Sequence, residues 1–224
     1  MSTATKLSPE SVRTMDDASI AQLLAKLDGD GVKWKIAARV DKYDRAAIQR
    51  ARDFFELRPD QEPIGWQLAA VAAPYETVVE EGNLLTRLGK KRLIDRFVET
   101  ASNVGIKVTT GRIGTGNSAT AAVDTDTDLG AAAGSANRQF QMLDSAPTVG
   151  TGASSGVVTL VSTFGTGVGN YAWAEWGVDG GTAAGTTVTA DTNTTPGLIN
   201  HKITALGTKT SAATWVLTVT ITIT

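Results

Sequence analysis

Cysteine is absent from the 224 residues. That removes disulfide frameworks, thiolate metal sites and cysteine nucleophiles from consideration. Histidine occurs once, at His201. A lone imidazole cannot supply a two-histidine metal site, and no G-x-S-x-G nucleophile motif lies beside it. No hydrophobic run approaches the ~18 apolar residues of a membrane-spanning helix. The opening Met1-Ser2-Thr3-Ala4-Thr5-Lys6 lacks the apolar stretch of a secretory signal. Lys and Arg total 21 against 23 Asp and Glu, a net charge of -2, so there is no basic excess to neutralise a phosphate backbone. The expectation is a soluble protein made in the cytoplasm, with neither nucleic acid nor membrane as a partner.

Charge is also scarce in one half of the chain. Residues 1–112 carry 18 Lys/Arg and 16 Asp/Glu, leaving 3 and 7 for residues 113–224. Thr, Gly, Ala and Val replace them. Leu/Arg/Glu-rich sequence favours helix, and Thr/Val-rich sequence broken by Gly favours strands and turns. The expected fold class is therefore α+β: a helical anchor over residues 1–105, then an antiparallel, jelly-roll-like β-sandwich over residues 106–224.

In the first half, Ser8-Pro9-Glu10-Ser11 reads as a helix start, with Ser as cap and Pro in the first turn. Ile20, Leu23, Leu24 and Leu27 follow at helical spacing over 19–27, and Asp28-Gly29-Asp30-Gly31 closes that segment. A second helix is expected over 44–57, with Ile48, Ala51 and Phe55 on its apolar side and Arg58-Pro59 as its stop. A third is expected over 75–102. Its apolar residues form no single stripe: Leu84, Leu85 and Leu88 point one way, Leu93 and Phe97 nearly the other. That pattern suits a kink near Gly89 or burial on two sides, including burial between subunits. Residues 60–74 read as a loop or extended arm whose Trp66 needs a cover.

The second half reads as short strands over 106–113, 138–143, 156–164, 170–178, 186–189, 197–203 and 213–224. Roughly seven strands at this spacing suggest a sandwich or small barrel. The last is the clearest. Trp215, Leu217, Val219, Ile221 and Ile223 alternate with Val216, Thr218, Thr220, Thr222 and Thr224, giving one apolar and one mostly Thr face. So long an apolar strand must be paired within a sheet or across an interface.

Candidate chemistry is sparse. Asp124, Asp126 and Asp128 stand at i, i+2 and i+4, the spacing of a calcium loop. However, Leu129 stands where such a loop needs Gly and Ser135 where it needs its bidentate acid. The three are a weak metal candidate; the bland alternative is one solvated face of an extended segment. Gly111-Arg112-Ile113-Gly114-Thr115-Gly116 is not followed by Gly-Lys-Ser/Thr, so it does not read as a phosphate loop. Lys90-Lys91-Arg92 reads as a solvated helix face. Alternation places Tyr171, Trp173 and Glu175 on one side of their strand and Ala172, Ala174 and Trp176 on the other. Glu175 has three readings: a pair with Lys202 or Lys209, an acceptor of backbone N–H groups at a turn, or an exposed carboxylate. No catalytic residue and no cofactor is assigned. The residues expected to carry core or interface packing are Trp173, Glu175, Trp176, His201, Trp215, Leu84 and Leu88.

Several stretches, in this order, carry a family resemblance. They are Glu81-Gly82-Asn83-Leu84-Leu85; Gly114-Thr115-Gly116-Asn117-Ser118-Ala119-Thr120 leading into Asp126-Thr127-Asp128-Leu129-Gly130; Asn170-Tyr171-Ala172-Trp173-Ala174-Glu175-Trp176-Gly177-Val178; Leu198-Ile199-Asn200-His201-Lys202-Ile203; and Gly207-Thr208-Lys209-Thr210 before the terminal strand. The set resembles tailed-bacteriophage virion structural proteins of the minor tail or tail-fibre-like kind, over residues 81–224. The resemblance implies a non-enzymatic virion component, assembled in the host cytoplasm as a homotrimer and docked to other proteins of the tail or capsid. The alternatives are a capsid decoration (cement) protein and a carbohydrate-binding module of a receptor-binding protein. The module would need exposed aromatics, with Tyr171, Trp173 and Trp215 as candidates to meet a host surface glycan.

Overall fold

A computed structural model describes residues 34–82, 84–87, 89–90, 111–179, 187–188 and 198–223. The expected helix over 19–27, the capping sequence at Ser8-Pro9, Leu88 and residues 91–102 lie outside them. The described chain is mostly β, two antiparallel sheets with two short helices. The strands are β1 (Trp34–Tyr43), β2 (Glu76–Glu81), β3 (Leu84–Leu85), β4 (Arg112–Gly116), β5 (Arg138–Met142), β6 (Thr148–Val149), β7 (Val157–Phe164), β8 (Ala172–Asp179), β9 (Thr187–Val188), β10 (Leu198–Thr208) and β11 (Thr214–Ile223). The helices are α1 (Arg45–Phe54) and α2 (Gly65–Val71). One sheet runs β2-β1-β11-β7-β6 and the other β3-β10-β8-β4-β5-β9.

The alternation in β11 does what the sequence asks. Leu217, Val219 and Ile221 are buried while Thr218, Thr220 and Thr222 are half-buried. The strand sits mid-sheet, with β1 on one side and β7 on the other. Leu217 faces Val40 in one register and Ser162 in the other. Both edges of the long apolar strand are thereby paired, which removes the aggregation hazard of a free edge.

Among the described residues, which start at β1, the charge-rich half is not the helical region expected of it. β1 begins it, with Ile36, Ala38 and Val40 buried at period two and paired to β11 from Trp34↔Ile223 through Tyr43↔Thr214. The expected division at 105/106 therefore crosses a single sheet. Glu76–Glu81 and Leu84–Leu85 are strands rather than the start of a long helix. Thr77, Val78 and Val79 are β-branched and stiff, so they favour the pleated backbone. Gly82, at φ 75°, takes a left-handed conformation suited to glycine and ends β2 before β3 starts in the other sheet. That change of sheet is why the apolar positions of β2 and β3 share no helical stripe.

The expected second helix is present as α1, capped by Asp44, whose carboxylate accepts the Ala47 N–H at 2.8 Å. Residues 60–74 are not an extended arm. They contain α2, whose first residue, Gly65, donates its N–H to Thr163 Oγ1 at 2.8 Å. A Cβ at Gly65 would lie 2.8 Å from Val216, so only glycine lets the helix approach the sheet this closely. Tyr43, Ala47, Ile48, Ala51, Leu68 and Val216 form the seam between the helices and the sheet. Trp66 is not covered by the described chain: it is 59% exposed and lies edge-on to Phe55, with ring centroids 5.0 Å apart.

One core joins the sheets. Ile36, Ala38, Val40, Leu160, Leu217 and Val219 from the first cluster with Ile113, Trp173, Trp176, Val178 and Ile199 from the second. Phe164, Trp173 and Trp215 stack edge to face at 4.7 and 4.8 Å. Trp173 and Trp176 belong to the same core, which corrects the strict alternation expected of β8. The pairing of β8 with β10 slips between Ile203↔Glu175 and Gly207↔Trp173. An irregularity of this kind re-aims the side chains on either side of it.

Leu217→Ala is expected to destabilise the protein by about 2–5 kcal/mol, since it opens a cavity in the middle of the core. Thr220→Ala, on the other face of β11, should change stability by less than about 1 kcal/mol. Urea denaturation of the two variants checks the contrast, and equal losses would reject the assignment of faces.

Candidate functional site

The outer face of the second sheet is nearly bare of side-chain bulk along β4 and β8. Cβ atoms at Gly114, Gly116 and Gly177 would run into the Phe140 ring, the Glu175 carboxylate and the Asn200 carbonyl, respectively. This vacancy seats the segment 117–137, which leaves β4 and returns as β5. Leu129 fills it and packs with Phe140 and Leu198.

Charged groups line the rest of the seat. Glu175 has no exposed surface. Its Oε1 accepts the Ala131 N–H and its Oε2 the Gly130 N–H, each at 2.8 Å. His201 stands beside it on β10, with Nε2 2.8 Å from Glu175 Oε2 and Nδ1 2.6 Å from Asp126 Oδ2. The backbone-acceptor reading of Glu175 is the one realised, and its side-chain partner is His201, not Lys202 or Lys209.

The three aspartates do not converge. Asp124 pairs with Arg87 at 3.1 Å, Asp126 with His201, and Asp128 with Arg138 at 2.8 Å. Each carboxylate holds a different cation: Arg87 just after β3, His201 on β10 and Arg138 on β5. Among the described residues no three His, Cys, Asp or Glu side chains are grouped to hold a metal ion. Arg138 also donates to the carbonyls of Leu129 and Ala131, both at 3.2 Å. A second buried pair, Arg112 and Asp179, lies 2.9 Å apart at directly opposed positions of β4 and β8.

These surroundings set the protonation of the imidazole. Burial by itself disfavours the charged ring, but the hydrogen bonds it donates to Glu175 and Asp126, with the negative charge of both, outweigh it and raise the pKa above the ordinary value. A ring with a carboxylate on each nitrogen uses both as donors, the hydrogen-bonding state of imidazolium. General-base activation of a nucleophile needs a free ring nitrogen to accept a proton, and this arrangement offers none. Its chemistry is to hold a loop.

The remaining candidates occupy structural positions. Trp173, Trp176 and Trp215 are core residues. Leu84 is half-buried opposite His201 in the β3–β10 pairing, and Leu88 lies outside the described residues. Tyr171 is buried and donates its hydroxyl to the Thr115 carbonyl at 2.9 Å. Burial raises its pKa, the Thr115 hydroxyl opposes that, and Glu175 adds to it. Lys209, 1% exposed, donates to the Gly165 carbonyl at 2.7 Å and Asn170 Oδ1 at 2.9 Å. Burial lowers its pKa to about 8 against a smaller opposing pull from Glu62. Alongside His201 runs a shallow groove of ≈ 550 Å³, walled by Leu84, Ala119, Ala121, Ala122 and Ile203.

Sequence reading did not reach the Asp126–His201–Glu175 arrangement, because its members are 75 and 26 positions apart. The available signal was scarcity: ionisable groups retained in a half that has shed most of its charge. Comparison with protein-family models, with curated proteins and with solved structures finds no match to this chain.

Glu175→Ala leaves a buried imidazolium and two backbone N–H groups without their partner. The expected cost is about 3–5 kcal/mol, measured by urea denaturation, and a cost below about 1 kcal/mol would reject the clamp. Lys209→Met tests the other buried charge. Native Lys209 releases its proton near 8, whereas an unfolded lysine does so near ~10.4. Between these values the unfolded chain binds more protons, so stability rises with pH. Relative to the Met variant, the wild type should gain stability over this interval, and a flat difference would contradict it.

Proposed function

We propose that this chain is a non-enzymatic structural component of a tailed-phage particle, a minor tail or fibre-like appendage protein. It assembles by packing of its own subunits, as a homotrimer, and docks to other virion proteins. We read its two-sheet body as a jelly-roll-like sandwich serving that role. The observation that carries the proposal is where the resembling motifs point. Glu175 and His201 come from two of those stretches and meet at 2.8 Å, while Lys209, from a third, binds Gly165 and Asn170. The residues that give the sequence its resemblance are turned inward to bind the chain itself, as expected of motifs that maintain a scaffold.

Two observations bear on the alternatives. Tyr171, Trp173 and Trp215, the aromatics a sugar-binding surface would have used, are 7%, 1% and 2% exposed. That removes their support for the carbohydrate-binding reading. Residues 60–74, the arm a cement protein would have laid along the shell, instead include a helix docked on the chain's own sheet.

The test is location and stoichiometry. An antibody raised against the purified chain is expected to label tailed particles on the tail, and light scattering on the full chain should give the mass of a trimer. Labelling confined to heads would replace the tail reading with decoration. A chain that associates with no particle would reject the proposal.

A further inference from the structure

We propose that the segment 117–137 is a pH-gated cover, latched while His201 bridges Asp126 and Glu175 as an imidazolium and released when that ring loses a proton. Three ion pairs staple the segment to the sheet: Asp124 with Arg87, Asp126 with His201, and Asp128 with Arg138. Arginine stays charged at all pH values a protein survives. Of the three cations, only the imidazole titrates near neutrality.

The groups facing His201 decide which way the latch opens. Glu175 faces it from β8 and Asp126 from the segment itself. β3 contributes uncharged Leu84 opposite it. Its neighbour Lys202, on the same strand, reaches the Glu81 carbonyl at 3.3 Å. A neutral ring retains one N–H for two carboxylates. Glu175 is sealed from water and keeps the N–H groups of Gly130 and Ala131. Asp126 is 22% exposed, and its other bond, from the Val123 N–H at 2.8 Å, lies within the segment. Asp126 is therefore the side that lets go, because water can take it up. The part before Asp128 lifts, because its remaining staple, Asp124 with Arg87, is 41% and 52% exposed and a pair so open to water holds little; the part from Asp128 to Ala131 stays clamped by Arg138 and Glu175.

The lifting part includes Ala119, Ala121 and Ala122, which form one wall of the groove beside His201. Release thus widens the groove and uncovers apolar surface on β3 and β10. The direction follows from linkage: the raised imidazole pKa makes the latch complete below the unfolded-state value of about 6.5. It is lost as pH rises through the higher native value. The cover is closed just below about pH 6.5 and opens as pH rises past the native value of the ring.

The experiment uses the intact chain. His201 is the sole histidine, so the ring signals in a long-range ¹H–¹⁵N spectrum need no assignment. Both ring nitrogens should be protonated at about pH 6, with titration above about 6.5. Two backbone amides report the cover: Arg87 N–H donates to the Asp124 carbonyl at 2.7 Å and Leu198 N–H to the Thr127 carbonyl at 3.2 Å. Their hydrogen-exchange protection, corrected for intrinsic rates, should fall at least tenfold as the ring titrates, while Ala131 keeps its protection. Asp126→Asn, at a partly exposed position, should lower the ring's titration midpoint and unprotect Arg87 and Leu198 already at about pH 6. A ring carrying one proton at about pH 6, below the ordinary value of about 6.5, overturns the proposal. So does unchanged protection at Arg87 and Leu198 through the ring's titration, or an Asn variant that leaves both midpoint and protection unmoved.

Discussion

A carboxylate withdrawn from water has to be given donors, and the second sheet is organised around that requirement at Glu175. With no exposed surface, its two oxygens collect a His201 ring nitrogen and the N–H groups of Gly130 and Ala131. An isolated buried carboxylate would cost several kcal/mol, and matched donors offset that cost. The surrounding sequence follows from this. Gly116 stands beside the carboxylate because a Cβ would collide with it. Gly114 and Gly177 make room for the segment that brings the donors. Asp126 completes the environment of the histidine that Glu175 needs.

The same logic separates this face from the inter-sheet core. There the packing is apolar and dense, with aromatic rings of Phe164, Trp173 and Trp215 in edge-to-face contact. Tyr171, at its margin, is satisfied locally by Thr115. The core holds the two sheets together through burial. The outer face holds a long connection through charge, which is more selective in geometry and open to titration.

Legibility in the sequence followed the range of the interactions. β11 was plain because its apolar and Thr residues alternate from Leu217 onward, and burial alternates with them as far as Thr222. β5, β7, β8 and β10 were also located to within a few residues at their starts, since Gly- and Thr-rich turns bound them. β1 went unseen, although Ile36, Ala38 and Val40 alternate. Its two alanines and interleaved Lys35, Arg39 and Asp41 resemble a helix surface, and only pairing with β11 makes it a strand. Residues 75–85 failed for a related reason: their apolar positions serve two sheets. The three aspartates were noticed as a group, but their separate partners, Arg87, His201 and Arg138, come from elements far apart in the chain.

The register of β1 on β11 sets a condition on how the chain reaches this state. Trp34 must find Ile223, and every rung to Tyr43↔Thr214 joins residues from opposite ends of the described sequence. Closing so large a loop is entropically slow, and chains dominated by distant contacts fold in milliseconds to seconds or longer. Until that meeting occurs, β7 covers one edge of β11, and the edge that β1 will take stays open to other chains. At high local concentration, encounter with another copy competes with the chain finding its own first strand.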